Sequence, residues 1–150
     1  MKLPGLILAL ASVSQSFILP GTNYCGAGER EKTDEDFWAD PIFPEVDNCC
    51  RAHDYCPQKI ERFSTDFQLY NYYPYTISLC ECDLAFWNCL KRDGSWMSTK
   101  VGQTFFNVLQ TPCFELKKAK ICQKYAYYGF GNCLHEIDGH VAEMRDAQNF

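Results

Sequence analysis

This sequence of 150 residues lacks long apolar runs, N-glycosylation sequons and an excess of basic residues. Its longest apolar run, six residues from Leu6 to Ala11, is far shorter than the roughly 18 residues that a membrane-spanning helix needs. Without an Asn-x-Ser/Thr sequon, N-glycosylation is not expected. Lys and Arg number 14 against 19 Asp and Glu, and the net charge of −5 argues against nucleic-acid binding and against a mainly electrostatic hold on anionic surfaces.

The amino-terminal residues 1–16 combine Lys2, the short apolar run and small serines up to Ser16. This order is typical of a secretory signal peptide. We therefore expect residues 1–16 to be cleaved. Residues 17–150 would then form one secreted, extracellular domain that is large enough for a modest hydrophobic core.

Cysteine is abundant, and every cysteine follows the predicted signal segment. The cysteines stand at positions 25, 49, 50, 56, 80, 82, 89, 113, 122 and 133. An even number in an exported chain indicates disulfide bonds rather than free thiols, so the 10 cysteines predict five bridges. Counting alone leaves their pairing open.

The segment CCRAHDYC, residues 49–56, combines three cysteines with a histidine and a carboxylate. In a helix of about 3.6 residues per turn, His53 lies one turn after Cys49 and on the same stripe. Asp54 lies one turn after Cys50, on a stripe about 100° away. Two functional side chains, each beside a cysteine anchor, suit a general base that works next to a metal ion.

The pattern of caps and breakers predicts the secondary structure. Three helices are expected, with limits at residues 47 or 48 to 62, 76 or 78 to 92, and 96 to 109. Asp47 or Asn48 would cap the first helix, and Pro57 would kink it or end it early. Glycine and aromatic residues after Cys113 predict strands and turns.

Equal spacings allow the first two helices to be crosslinked twice. Cysteines lie seven residues apart in both helices, at 49 and 56 and at 82 and 89. Pairing Cys49 with Cys89 and Cys56 with Cys82 gives two antiparallel helices in register. Asp83 is then the nearest acidic side chain to His53. A histidine held in one tautomer by a carboxylate is the arrangement that general-base catalysis requires.

The second cysteine of the doublet, Cys50, points elsewhere, and Cys25 is its natural partner. Such a bridge would bring the loop at residues 24–28 within one helical turn of Asp54. Two glycines in this loop allow the backbone to turn successive carbonyl oxygens toward one centre. Together with the Asp54 carboxylate, these oxygens would form an all-oxygen site, which suits Ca²⁺ better than Zn²⁺.

These motifs resemble the secreted phospholipase A2 family, and the loop PGTxxCGxG at residues 20–28 resembles its bee-venom-like group III branch. The resemblance covers nearly the whole of residues 17–150 and includes CxCD at residues 80–83. It implies a mainly α fold with a small β part, in which two antiparallel disulfide-stapled helices accompany a calcium loop and a C-terminal strand region. The bridges that it implies are 25–50, 49–89, 56–82, 80–113 and 122–133.

The resemblance also implies calcium-dependent hydrolysis of the sn-2 ester of glycerophospholipids at a membrane or micelle surface. His53 would be the general base for the attacking water, and Asp83 would be its orienting carboxylate. The residues that would bind Ca²⁺, through main-chain oxygens and one side chain, are Tyr24, Gly26, Gly28 and Asp54. The ion would act as a Lewis acid on the ester carbonyl. A monomer without nucleic-acid partners is expected.

Two further expectations concern substrate contact and the support of the catalytic carboxylate. Phe105 stands where the family often has a tyrosine that hydrogen-bonds this carboxylate, so weaker ordering of Asp83 is expected. Phe17, Ile18 and Leu19 are candidates for insertion into the lipid surface.

Two alternatives compete with this interpretation. A zinc site made from His53, Asp54 and thiolates is disfavoured by export and by the even cysteine count. A catalytically silent, toxin-like or receptor-binding protein on the same scaffold is the second alternative. Such proteins usually lose the histidine, the calcium-binding aspartate or a loop glycine, and this sequence retains all of them.

Overall fold

The computed structural model describes residues 17–18, 22–27 and 42–150. The predicted signal peptide, Leu19 and Gly28 lie outside the described residues, as do the side chains of Phe17 and Ile18. The elements in chain order are β1 (Phe17–Ile18), β2 (Gly26–Ala27), α1 (Pro44–Asp54), β3 (Lys59–Ile60), β4 (Thr65–Asp66), β5 (Leu69–Tyr70), β6 (Ile77–Ser78), α2 (Cys80–Asp93), α3 (Trp96–Gly102), a π-helix (Gln103–Val108), β7 (Cys113–Tyr127) and β8 (Phe130–Arg145). Among these residues, none of the helices has the length and apolar character needed to cross a membrane.

The predicted start of α1 is wrong, whereas its end at Asp54 agrees with the early termination expected at Pro57. Pro44 starts the helix, because a proline at the first helical position loses no intrahelical hydrogen bond. Asp47 therefore lies inside the first turn and is not an N-cap. Pro57 cannot continue the helix beyond the turn at residues 55–56, and the chain passes instead into β3.

Helix α2 lies antiparallel to α1, as the cysteine spacing predicts. The middle of α1 is joined to the end of α2 by Cys49–Cys89, and the turn after α1 is joined to the start of α2 by Cys56–Cys82. Leu79 precedes α2 without a side-chain cap, so neither Thr76 nor Ser78 has the predicted role.

The third predicted helix is divided in two. Its first half is α3, and its second half, residues 103–108, is a π-helix. The wider π-helical turn carries Phe106 into the core that α1 and α2 share, where Val46 and Leu90 are also buried. A π-helical segment is uncommon and is often found beside a functional site.

The C-terminal region is a β-hairpin and is larger than the small β part predicted. Its strands β7 and β8 contain 15 and 16 residues. The base of the hairpin is bonded to α2 by Cys80–Cys113, and the fully buried Phe114 packs with Ile60, Ile77 and Leu79. Cys122–Cys133 crosslinks the hairpin nearer its end. With Cys25–Cys50, all five implied bridges are confirmed, and none of the described cysteines is free.

The loop at residues 22–27 is tied to α1 by a covalent bond and by a buried carboxylate. Cys25 is bonded to Cys50, and β2 pairs with β1. Asp47 is 5% exposed, and its Oδ1 accepts hydrogen bonds from the backbone N–H groups of Asn23 at 2.6 Å and Tyr24 at 2.7 Å. A buried carboxylate that accepts main-chain hydrogen bonds holds a loop more strongly than neutral partners do.

Replacing this carboxylate should loosen the loop. We expect Asp47→Ala to lower the free energy of unfolding by about 2 kcal/mol or more, because hydrogen bonds to a charged group contribute roughly 1.5–3 kcal/mol each. Denaturant unfolding followed by circular dichroism measures this. Glu45→Ala is a matched control, because Glu45 lies in the same first turn but is exposed. Equal stability of the two variants would contradict the tethering role.

Candidate functional site

His53 and Asp83 meet at the seam between α1 and α2. The ring nitrogen Nε2 of His53 lies 2.6 Å from Oδ1 of Asp83. Asp83 is 5% exposed, and the His53 side chain retains 13% exposure. Because Nε2 is engaged by the carboxylate, Nδ1 is the ring nitrogen that remains to take a proton. The proximity predicted from the cysteine spacing is therefore observed.

The environment of Asp83 opposes its ionisation. Burial raises the pKa of the Asp83 carboxyl above its ordinary value, and the hydrogen bond and charge of His53 offset part of this rise. Within the described residues, no side chain other than that of His53 hydrogen-bonds to this carboxylate. The ionised form of Asp83 is therefore stabilised by one short side-chain contact, with His53, in a poorly solvated environment.

Aromatic rings enclose the imidazole. The Phe86 ring stacks on His53 with its centroid 4.7 Å away, and the Phe105 ring meets His53 edge-on at 5.2 Å. Phe105 therefore contacts the histidine and gives Asp83 no hydroxyl group. Sequence reasoning missed Phe86, although it follows Asp83 by three residues on a helix and so shares its face.

His53 also lines a cavity of about 370 Å³ along the seam. Ala85 and Phe86 of α2 form part of its wall, together with both disulfides that join the helices. The lining also includes Tyr55 and Glu81 but is mostly apolar, which favours a ligand with an apolar part. The histidine therefore lies between a buried carboxylate and a space that a ligand can enter.

The described candidates for calcium ligands lie in the loop that is bonded to α1 and on the stripe of α1 that contains Cys50. Tyr24 and Gly26 flank Cys25, which is bonded to Cys50, and the exposed Asp54 follows Cys50 by one turn. Carboxylate and carbonyl oxygens are the donors that Ca²⁺ prefers, so the residues present fit this ion. The fourth predicted ligand, Gly28, lies outside the described residues.

The described residues do not support a metal site made of cysteine thiolates or of several histidines. No group of three or more His, Cys, Asp or Glu side chains there could hold a metal ion. All described cysteines are in disulfides, so they offer no thiolate to zinc. A site that draws mainly on main-chain oxygens does not require such a group.

Comparison with known proteins identifies the family. The sequence model of the family described as Phospholipase A2 matches residues 18–117. This range contains the helix pair, the loop and the first strand residues of the hairpin.

Individual relatives agree with the family match. Group 3 secretory phospholipase A2 of Homo sapiens is 38% identical over 79% of this chain, although the match spans only 22% of that protein. Phospholipase A2 isozymes PA3A/PA3B/PA5 of Heloderma suspectum are 40% identical over 75% of this chain and 77% of their own length. Phospholipase A2 of Bombus terrestris is 41% identical over 66% of this chain and 71% of its own length.

The same comparisons bear on location and family. The names of the relatives include secretory enzymes, and all described cysteines form disulfides, so the predicted extracellular location is confirmed. The relatives also confirm the resemblance to the group III branch. By sequence, disulfide pattern and helix arrangement, this chain belongs to the phospholipase A2 family.

Proposed function

We propose that this chain is a secreted, calcium-dependent phospholipase A2 that hydrolyses the sn-2 ester of glycerophospholipids. The products would be a free fatty acid and a lysophospholipid. The observation that carries the proposal is the contact of 2.6 Å between His53 and the buried Asp83. We further propose that residues 17–150 form the catalytic domain, that residues 1–16 are its signal peptide, and that it acts as a monomer.

His53 is the proposed general base. Its Nε2–H group donates to Asp83, so the lone pair of Nδ1 can take a proton from a water molecule that attacks the ester carbonyl. The imidazolium that forms is stabilised by the Asp83 carboxylate. It then returns the proton to the oxygen of the leaving lysophospholipid, so no covalent acyl-enzyme is needed. Phe86 and Phe105 exclude competing water from two sides of the ring.

The proposed Ca²⁺ ligands are the main-chain oxygens of Tyr24, Gly26 and Gly28 and the carboxylate of Asp54. When bound, Ca²⁺ supplies a positive charge that polarises the ester carbonyl and holds the substrate phosphate. The Gly26 backbone N–H group is the proposed hydrogen-bond donor to the same carbonyl oxygen. The Cys25–Cys50 disulfide and Asp47 keep this loop beside α1.

The substrate is a phospholipid in a membrane or micelle, which the apolar lining beside His53 favours. A silent binding protein on the same scaffold would have no need for a buried carboxylate held against a histidine. Burial of Asp83 costs free energy, and catalysis provides a reason to retain it.

Removing the base should nearly abolish turnover. We expect His53→Gln to lower the rate of fatty-acid release from phosphatidylcholine vesicles by roughly 10²–10⁴-fold, because the general-base contribution is lost. His140→Gln is the matched control, since His140 is exposed on β8. A calcium chelator should stop release by the parent enzyme. Full turnover by His53→Gln, or turnover by the parent protein in chelator, would contradict the proposal.

Replacing Asp83 should separate activity from stability. Its folded-state pKa is raised, so the folded protein holds this proton more tightly than the unfolded chain, and stability from this group is lost as pH rises through the raised pKa. Asp83→Asn removes that loss. We therefore expect the variant to gain stability relative to the parent as pH rises from about 4, the ordinary carboxyl pKa, until Asp83 is fully ionised, while its turnover falls.

Thermal unfolding at a series of pH values measures the stability difference. Asp138→Asn is the control, because Asp138 is exposed on the hairpin. If Asp83→Asn instead lost stability relative to the parent as pH rises, the fold would not disfavour ionisation of Asp83.

A further inference from the structure

The end of the C-terminal hairpin exposes a group of aromatic side chains. We call residues 125–134, with the sequence YAYYGFGNCL, the hairpin tip; it contains no charged residue. Tyr127 is 73% exposed, Phe130 79% and Leu134 60%, while Tyr128 is fully exposed. Single exposed apolar residues are common, but a contiguous aromatic group marks a contact surface.

The hairpin carries this tip away from the domain body. Only its base is packed, through Phe114, Leu116 and their β8 neighbours. Strand pairing then continues to Tyr127↔Phe130. At about 3.3 Å per residue, Tyr127 lies on the order of 35 Å along the strand from Leu116. The tip can therefore contact a partner without obstruction by the helices.

The tip is also braced, so its rings are presented at a low entropic cost. Cys122–Cys133 crosslinks the two strands where the tip joins the rest of the hairpin. Gly129 in the turn and Gly131 at the start of β8 have φ values of +87° and +88°, which an L-residue with a side chain rarely adopts. A preorganised surface loses little conformational freedom on binding.

The shape of the tip and the charge of the adjoining Lys124 favour a lipid surface as its partner. A stable protein interface needs about 800 Å² from each partner, whereas the tip is the convex end of only two strands. A fluid lipid surface can adapt to such a shape. Lys124 stands about 10 Å along the strand from Tyr127, where its ammonium group can reach lipid phosphates when the rings enter the headgroup boundary. Among the described residues, Lys124 makes no ion pair.

We propose that the hairpin tip is a membrane anchor that inserts the rings of Tyr127, Tyr128 and Phe130 into the lipid interface. Aromatic side chains with one polar end are well suited to this boundary. The role of this anchor rests on the proposed phospholipase function, because it would hold the enzyme at a surface made of its substrate. The tip is a different part of the sequence from residues 17–19, the N-terminal candidates for lipid contact.

The test compares two variants of matched composition. The tip variant is Tyr127→Ser/Tyr128→Ser/Phe130→Ser. The control is Tyr70→Ser/Tyr72→Ser/Phe63→Ser, whose original side chains are 51–60% exposed and include Tyr72, which contacts Met144 at the base of the hairpin. Binding is measured by co-sedimentation with vesicles of non-hydrolysable ether-linked phosphatidylcholine in the presence of chelator. We expect at least about 10-fold weaker binding for the tip variant and less than about 3-fold for the control.

A second readout does not depend on loss of binding. Tyr128→Trp places an indole at the tip, and vesicles with brominated acyl chains should quench its fluorescence more strongly than that of the parent protein. Unchanged binding by the tip variant, equal losses in both triple variants, or no additional quenching would overturn the proposal. It would also be overturned if the tip variant changed only self-association in sedimentation velocity.

Failure of the proposed function would be seen separately. Hydrolysis of a short-chain phospholipid below its critical micelle concentration requires no membrane anchor, so the parent and the tip variant should be equally active. If the parent releases no fatty acid from this monomeric substrate, the phospholipase proposal fails. The vesicle-binding measurements still test the membrane anchor.

Discussion

The doublet of adjacent half-cystines at residues 49 and 50 is the constraint on which the rest of the site depends. Successive residues on a helix point about 100° apart, so one cysteine bonds to α2 and the other to the loop at residues 22–27. His53 and Asp54 follow these cysteines by one turn and share their directions. One short helix therefore presents a proposed base to a carboxylate and a proposed calcium ligand to a loop.

The covalent framework also makes an unfavourable electrostatic arrangement tolerable. Burial raises the pKa of Asp83, and its side-chain partner His53 offsets only part of this rise. A small domain with a modest core has little stability to spare for such a group. Crosslinks at both ends of the helix pair limit the freedom of the unfolded chain and offset part of this cost. The proposed catalytic role of this pair and the disulfide density are thus linked in this fold.

The features predicted correctly from the sequence are those set by covalent spacing. Cysteine positions gave the helix pair, its antiparallel direction and the approach of His53 to Asp83. The start of α1 was not predicted, because both Asp47 and Pro44 can begin a helix and only the distant backbone of the loop shows which role Asp47 has. The long hairpin was underestimated, because its outer part buries little and leaves a weak hydrophobic pattern. The predicted functional roles are not tested by these geometric agreements.

The central claim is that α1 holds a proposed base and a proposed calcium loop side by side. A calcium titration followed by backbone NMR tests it most directly. Saturating Ca²⁺ should shift the amide resonances of Gly26 and Asp54 and perturb the nearby His53 ring, whereas Asp54→Asn should abolish these shifts and leave the fold intact. Calcium-induced shifts that bypass these residues, or that persist unchanged in Asp54→Asn, would contradict the account.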